Sequence, residues 1–223
     1  MRNPGVPATA AARYGSGSRL TAMNAAHDAF QRDLERLSKA ALPVNLADPD
    51  RRRSILNGWT LFSGMLEIHH RAEDELIWPR LRRRLAGSSA AMSVLEAMDA
   101  EHERIHPLIA AVDEALAAEG TVDVAAMVEE LRCLLSEHMH HEELEAMPLV
   151  EEALSDREWR AVVREIHGLV TSMDSLTVAD FLPWLTEGHS AAAEKAIATV
   201  LPAPIRPVYR LIWKPRYDRA TRW

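Results

Sequence analysis

Residues 69–81 read HHRAEDELIWPRL, and residues 138–149 read HMHHEELEAMPL. Each stretch sets a Glu four residues after a His and a Pro ten residues after it. Four residues are just over one helical turn, so on a helix each His and its Glu share a face. The apolar residues around them define where that face points. In the first stretch Trp59, Phe62, Leu66, Leu76 and Ile77 form a stripe at about 100° per residue, with His69 and Glu73 inside it and His70 at its edge. In the second, Val124, Val128, Leu131, Leu135 and Leu149 form the stripe, and His138 and Glu142 are centred on it. His140 points almost directly away, so His140 and His141 are expected to be solvated or to support other groups from outside.

Two further runs repeat the pattern. His102 and His106, at i and i+4, share a face with Leu95, Met98, Ile109 and Leu116, and His27 is flanked by Leu20, Met23, Phe30 and Leu34. Helical segments are predicted at about 19–42, 51–86, 89–118 and 121–154, with Pro49 or Asp50 opening the second. The breaks are Leu42-Pro43, Gly87-Ser88-Ser89 and Gly120-Thr121, short enough to join antiparallel neighbours, and no alternation of period two is sustained. The fold class is therefore all-α, an up-down-up-down four-helix bundle. Beyond it, Asp156 to about Met173 reads as one more helix, with Ser155 or Asp156 as N-cap and a stripe of Trp159, Val162, Val163, Ile166 and Leu169. An irregular, proline-punctuated tail follows, whose Trp184, Tyr209 and Trp213 are expected to pack on the bundle. The expected organisation is a flexible leader over 1–17, the bundle over 18–155 and a C-terminal helical extension over 156–223.

The net charge of −7 is unevenly spread. Residues 201–223 hold six Arg or Lys against Asp218 alone, which leaves the rest of the chain at about −12 and argues against nucleic acid as a partner. The single cysteine, Cys133, excludes an intrachain disulfide and is expected to be a small buried apolar residue. No stretch is long and apolar enough to span a membrane or to form a signal peptide, so a cytoplasmic protein is expected.

His27, His69, Glu73, His102, His106, His138 and Glu142 thus converge on one interior. A lone His on an apolar face is usually a hydrogen-bonded core residue, but burying ionised carboxylates unpaired costs several kcal/mol each. Divalent ions offset that penalty, and an imidazole and carboxylate set of this size suits two first-row transition ions. A competing pattern, Glu67-x-x-His70 with Glu137-x-x-His140, matches the ligand signature of ferritin-like di-iron proteins. Helical phase disfavours it, because Glu67, Glu137 and His140 lie off the apolar stripes.

On these residues the chain resembles the hemerythrin-like, or HHE cation-binding, family. The resemblance spans roughly 19–154 and rests on His27, the His69-x-x-x-Glu73 box ending in Ile77-Trp78-Pro79, the His102-x-x-x-His106 pair, and the His138-x-x-x-Glu142 box with Met147-Pro148. The remainder looks like an extension found on some bacterial members. The resemblance implies two iron ions in a non-haem centre with an oxo or hydroxo bridge: His102, His106 and His138 on one iron, His27 and His69 on the other, Glu73 and Glu142 across both. The iron with fewer ligands would keep a position for a small molecule. The implied function is binding of O2 or a related molecule, for sensing, storage or delivery; the oligomeric state, monomer or weak dimer, is left open by the sequence. The alternatives are an enzyme acting on H2O2 or NO, an oxygenase, or an iron store. Glu142 stands where respiratory members carry Asp at one residue's greater spacing.

Overall fold

A computed structural model describes residues 20–118, 124–172, 178–198 and 203–223. The expected leader over 1–17 and the Gly120-Thr121 break lie outside the described residues. Among the described residues there is no strand, and no helix is long and apolar enough to cross a membrane.

Four helical rods form the bundle. The first is α1 (Thr21–Ala40), followed by a single turn at Pro43–Leu46. The second runs through α2 (Pro49–Arg71), a π turn (Ala72–Ile77) and α3 (Trp78–Arg84). The third is α4 (Ser89–Ala117). The fourth repeats the second as α5 (Val124–His141), a π turn (Glu142–Ala146) and α6 (Met147–Ala153). Asp48 caps α2 by accepting from the Asp50 and Arg51 amides, with Pro49 in the first turn, where its missing N–H costs nothing. Ser88 caps α4 through the Ala91 amide. The rods pack in a closed ring, α1 on α2, α2 on α4, α4 on α5 and α5 on α1.

The π turns follow from the prolines. Pro79 and Pro148 have no N–H and would collide with the carbonyl four residues back in a regular helix. In the wider turn the Trp78 amide reaches the Glu73 carbonyl, and the Met147 amide reaches that of Glu142. Each such turn adds one residue and so rotates the following face by about 100°. Uninterrupted phase puts Leu149 inward and Trp78 and Met147 outward. Instead Trp78, Leu81, Met147 and Val150 are buried and Leu149 is only half-buried.

Along every rod the candidate ligands fall between two apolar clusters. Phe30, Phe62, Leu66, Ile105 and Leu135 belong to one; Met23, Ile77, Leu95, Met98 and Ala146 belong to the other. The polar layer is therefore closed off along the bundle axis by side chains each worth about 1.5–3 kcal/mol of burial for the larger residues.

The extension wraps α1 and α2. It comprises α7 (Asp156–Ser172), α8 (Val178–Thr186), α9 (Ala191–Ile197), a turn-rich stretch with a third π turn (Tyr209–Trp213), and α10 (Lys214–Arg219). Ser155 and Glu158 make a reciprocal cap at the start of α7, the Ser155 amide donating to Glu158 and the Glu158 amide to Ser155 Oγ. Arg80 grips Glu165 with 2.7 and 2.9 Å contacts, and Arg84 pairs with Glu158. A second latch centres on buried Asp33, which accepts from the Trp184 indole at 2.8 Å and from Arg32 at 2.9 Å. Glu187 then joins Arg36 at 2.9 Å to the Tyr217 hydroxyl at 2.9 Å. Trp184 and Tyr209 are buried and Trp213 packs at the cluster's edge, as the sequence leads one to expect. The absence of a side chain at Gly58 lets the Trp223 ring lie against α2, since a Cβ there would stand 2.6 Å from it. Cys133 departs from expectation: it is exposed, on the face of α5 beside Glu129 and Arg132.

Candidate metal centre

Two buried groups of donors occupy the layer between the clusters. One is His27, His69, Glu73 and Glu142; the other is His70, His102 and His138, and within each group the donor atoms lie within 4.8 Å of one another. All seven are buried. Six of the seven residues expected from the sequence are thus brought together.

His106 is the exception and is exposed. It stands about 60° from the mean direction of the α4 stripe, a margin that neighbouring helices decide. Its partner across the interface, His70, is only 1% exposed. His106 Nε2 lies 3.1 Å from His70 Nδ1, leaving His70 Nε2 buried without a hydrogen-bond partner. The structure thus places His70 inside, with His106 behind it on the exposed side. The His70 ring stacks on that of His102 at 4.0 Å between centroids. His140 is exposed as expected, and so are Glu67 and Glu137, which removes the competing Glu-x-x-His arrangement.

Three imidazoles are held from behind by carboxylates on neighbouring rods. Asp74 of the first π turn takes His102 Nδ1 at 2.9 Å, Glu101 of α4 takes His138 Nδ1 at 2.8 Å, and Glu143 of the second π turn takes His27 Nδ1 at 2.9 Å. With Nδ1–H donating outward, each Nε2 faces the interior, where its loss of a proton would free a lone pair for a metal ion. There the Nε2 atoms of His102 and His138 approach to 3.1 Å, and those of His27 and His69 to 3.3 Å. Helical phase does not single these acids out. Each is the chain neighbour of an inward residue (Glu73-Asp74, Glu101-His102, Glu142-Glu143), and that adjacency was the available signal.

The carboxylates sit deeper still. Glu73 places Oε1 at 3.1 Å from His69 Nε2 and Oε2 at 3.4 Å from His102 Nε2, so it spans the two groups. Glu142 Oε2 lies 2.9 Å from His27 Nε2 and 3.9 Å from His69 Nε2, on one side only. These approaches are close enough for ion pairs, yet all four oxygens of Glu73 and Glu142 lack a hydrogen bond of proper geometry. Buried carboxylates in that condition are strongly destabilising without a cation.

The metal-free charge state shows the same strain. Burial opposes protonation of His27, but Glu142 and Glu143 outweigh it and hold the group up to about 10. Burial likewise opposes His102, and Asp74 and Glu73 raise it to about 10. His69 and His70 are pushed well below the usual range, by burial first and then by neighbouring imidazoles. Burial and the adjacent Glu142 raise Glu73, whereas His27 and His69 overcome burial to hold Glu142 low. Protons on His27, His102 and Glu73 occupy positions that a cation would take.

The family comparison agrees with this geometry. The hemerythrin HHE cation-binding domain matches residues 14–150, more than half of the chain. The chain belongs to that family. Comparison with curated proteins and with solved structures returned no match. The family, the helical bundle and the His and Glu clusters together define a metal-binding protein.

Proposed function

We propose that the two donor groups hold two iron ions and that the protein binds O2 or a related small molecule, acting in sensing, storage or delivery. His70, His102 and His138 serve one ion and His27 and His69 the other, with Glu73 shared and Glu142 on the second. The observation that carries this reading is the pairing of Nε2 atoms at 3.1 and 3.3 Å beside four carboxylate oxygens without hydrogen bonds. A mixed imidazole and carboxylate set suits iron or manganese better than a structural zinc site does. Bound iron would supply reversible electron transfer to a small ligand. The chain's own contribution is to exclude water through Phe30, Phe62, Leu66, Met98 and Leu135, all fully buried, and to fix the imidazoles through Asp74, Glu101 and Glu143.

Adding O2 to the anaerobically reduced protein is expected to produce a new charge-transfer absorption that disappears when O2 is removed. An unchanged spectrum, or an irreversible one, defeats the reading.

A second reading, decomposition of H2O2, is favoured by a hydrogen-bonded route from the interior to the surface. Glu101 joins buried His138 at 2.8 Å to half-exposed His141 at 2.7 Å. Burial opposes the charge on Glu101, but His138 and His141 hold it below the usual carboxylate range. It accepts from both Nδ1 atoms and so joins an interior N–H to one near the surface, a path for the protons that peroxide cleavage moves from one oxygen to another. Steady O2 release from peroxide, slowed in Glu101→Gln at unchanged iron content, supports it; turnover no faster than free iron eliminates it.

A further inference from the structure

An apolar cavity of about 140 Å³ lies where the C-terminal extension crosses α1 and α2. The bundle side contributes small residues, Ala26 and Ala72 among them, which keep the space open. The extension closes it with Trp159, Val163 and Trp184. No Asp, Glu, Lys or Arg lines it; its two titratable side chains are His167 of α7 and His69, a member of the buried donor group.

Size and lining select the occupant. Apolar cavities of about 150 Å³ stay dry and take up benzene or xenon. Aromatic walls add edge-to-face contacts for a ring, about 0.5–1.5 kcal/mol per pair in proteins generally. An ammonium would meet no carboxylate there, and a carboxylate would find only the imidazoles of His69 and His167, so burial penalises either charge. We propose that this cavity is a binding site for a compact, uncharged, apolar molecule of about the size of one aromatic ring, presented to the metal centre across His69. The presentation rests on the metal reading above; the pocket itself does not. The site belongs to the extension as much as to the bundle, because α7 and α8 build its outer wall, and it gives the extension a role beyond covering apolar surface.

The probe is benzene, with benzoate as the charged control, titrated into the full chain with and without iron and followed by tryptophan fluorescence and thermal shift. Saturable binding of benzene, tighter than that of benzoate, is expected, with benzene affinity falling at least tenfold in Val163→Phe or Ile166→Phe while helicity and iron content stay unchanged. Both substitutions fill the cavity from α7, an element that contributes no donor. Iron-loaded protein is expected to change its visible spectrum when benzene binds. The proposal is overturned by absent saturation, by undiminished binding in both filled variants, or by benzene binding that leaves the iron spectrum unmoved. Benzene binding in a chain that takes up no iron would instead remove the metal reading and retain the pocket. Iron uptake without benzene binding would remove the pocket and retain the metal reading.

Discussion

Replacing His70 and His106 one at a time separates two assignments that sequence spacing treats alike. His70 is 1% exposed, stacked on His102 at 4.0 Å, with Nε2 buried and lacking a hydrogen-bond partner and Nδ1 3.1 Å from His106. His106 is exposed and touches the group only through His70. Four-ligand protein sites bind an ion with roughly 10–16 kcal/mol, so one imidazole contributes on the order of 3 kcal/mol, a factor of about 10²–10³ in affinity. Losing an outer hydrogen-bond partner costs roughly 10–100-fold, or about 1.4–2.7 kcal/mol. His70→Ala is therefore expected to leave the triad unable to retain iron against a chelator, while His106→Ala keeps two ions with weakened affinity and His106→Gln recovers part of it. The measurement is metal content after dialysis against a competing chelator, with circular dichroism to establish that each variant folds. Two ions retained in His70→Ala together with one lost in His106→Ala would refute the reasoning and restore the reading by spacing.

Other expectations concern charge and packing. His27 and His102 are held at about 10 and Glu73 at about 8 in the metal-free protein, so ion binding at pH 7 displaces about two to three protons and tightens as pH rises. Zinc titration in weak buffer with a pH indicator measures this, and no acidification would contradict it. Because those histidines are raised above their unfolded value of about 6.5, their stabilisation of the metal-free fold is complete below that pH and disappears as pH climbs toward about 10. Glu187 behaves oppositely. Burial disfavours its charge, but Arg36, Arg32 and Tyr217 hold it below the usual carboxylate range, so its contribution is present above about pH 4.3 and lost on acidification. The melting-temperature deficit of Glu187→Gln should accordingly shrink from pH 6 to below pH 4, and a constant deficit would exclude the latch as its cause. Trp184→Phe removes the indole donor to buried Asp33 at a cost of about 1–2 kcal/mol, seen as a lower urea midpoint; an unchanged midpoint would mean that Arg32 and Arg36 suffice. His140→Ala, on an exposed side chain, should leave iron content and melting temperature within error of the parent.

Local periodicity carried most of the architecture. The stripes around His27, His69, His102 and His138 named the four rods and put Glu73 and Glu142 inside, because a helix fixes which residues share a face before any neighbour is present. Trp78 and Met147 were not legible in that way. The same prolines that mark the boxes open π turns, and a constant 100° step cannot be carried through them.

The division runs through the site itself. By itself the sequence determined the helical class, the paired boxes and a donor set rich enough for metal, all consequences of spacing along one chain. Tertiary structure alone buried His70 and left His106 exposed, since the adjoining rod determines which of two residues near a stripe's margin is covered. It also decided the outer carboxylates, each of which serves a different rod from its own: Asp74 holds His102, Glu101 holds His138 and Glu143 holds His27. Hydrogen bonds that link separate helices depend on their packing, and periodicity within one helix carries no record of it.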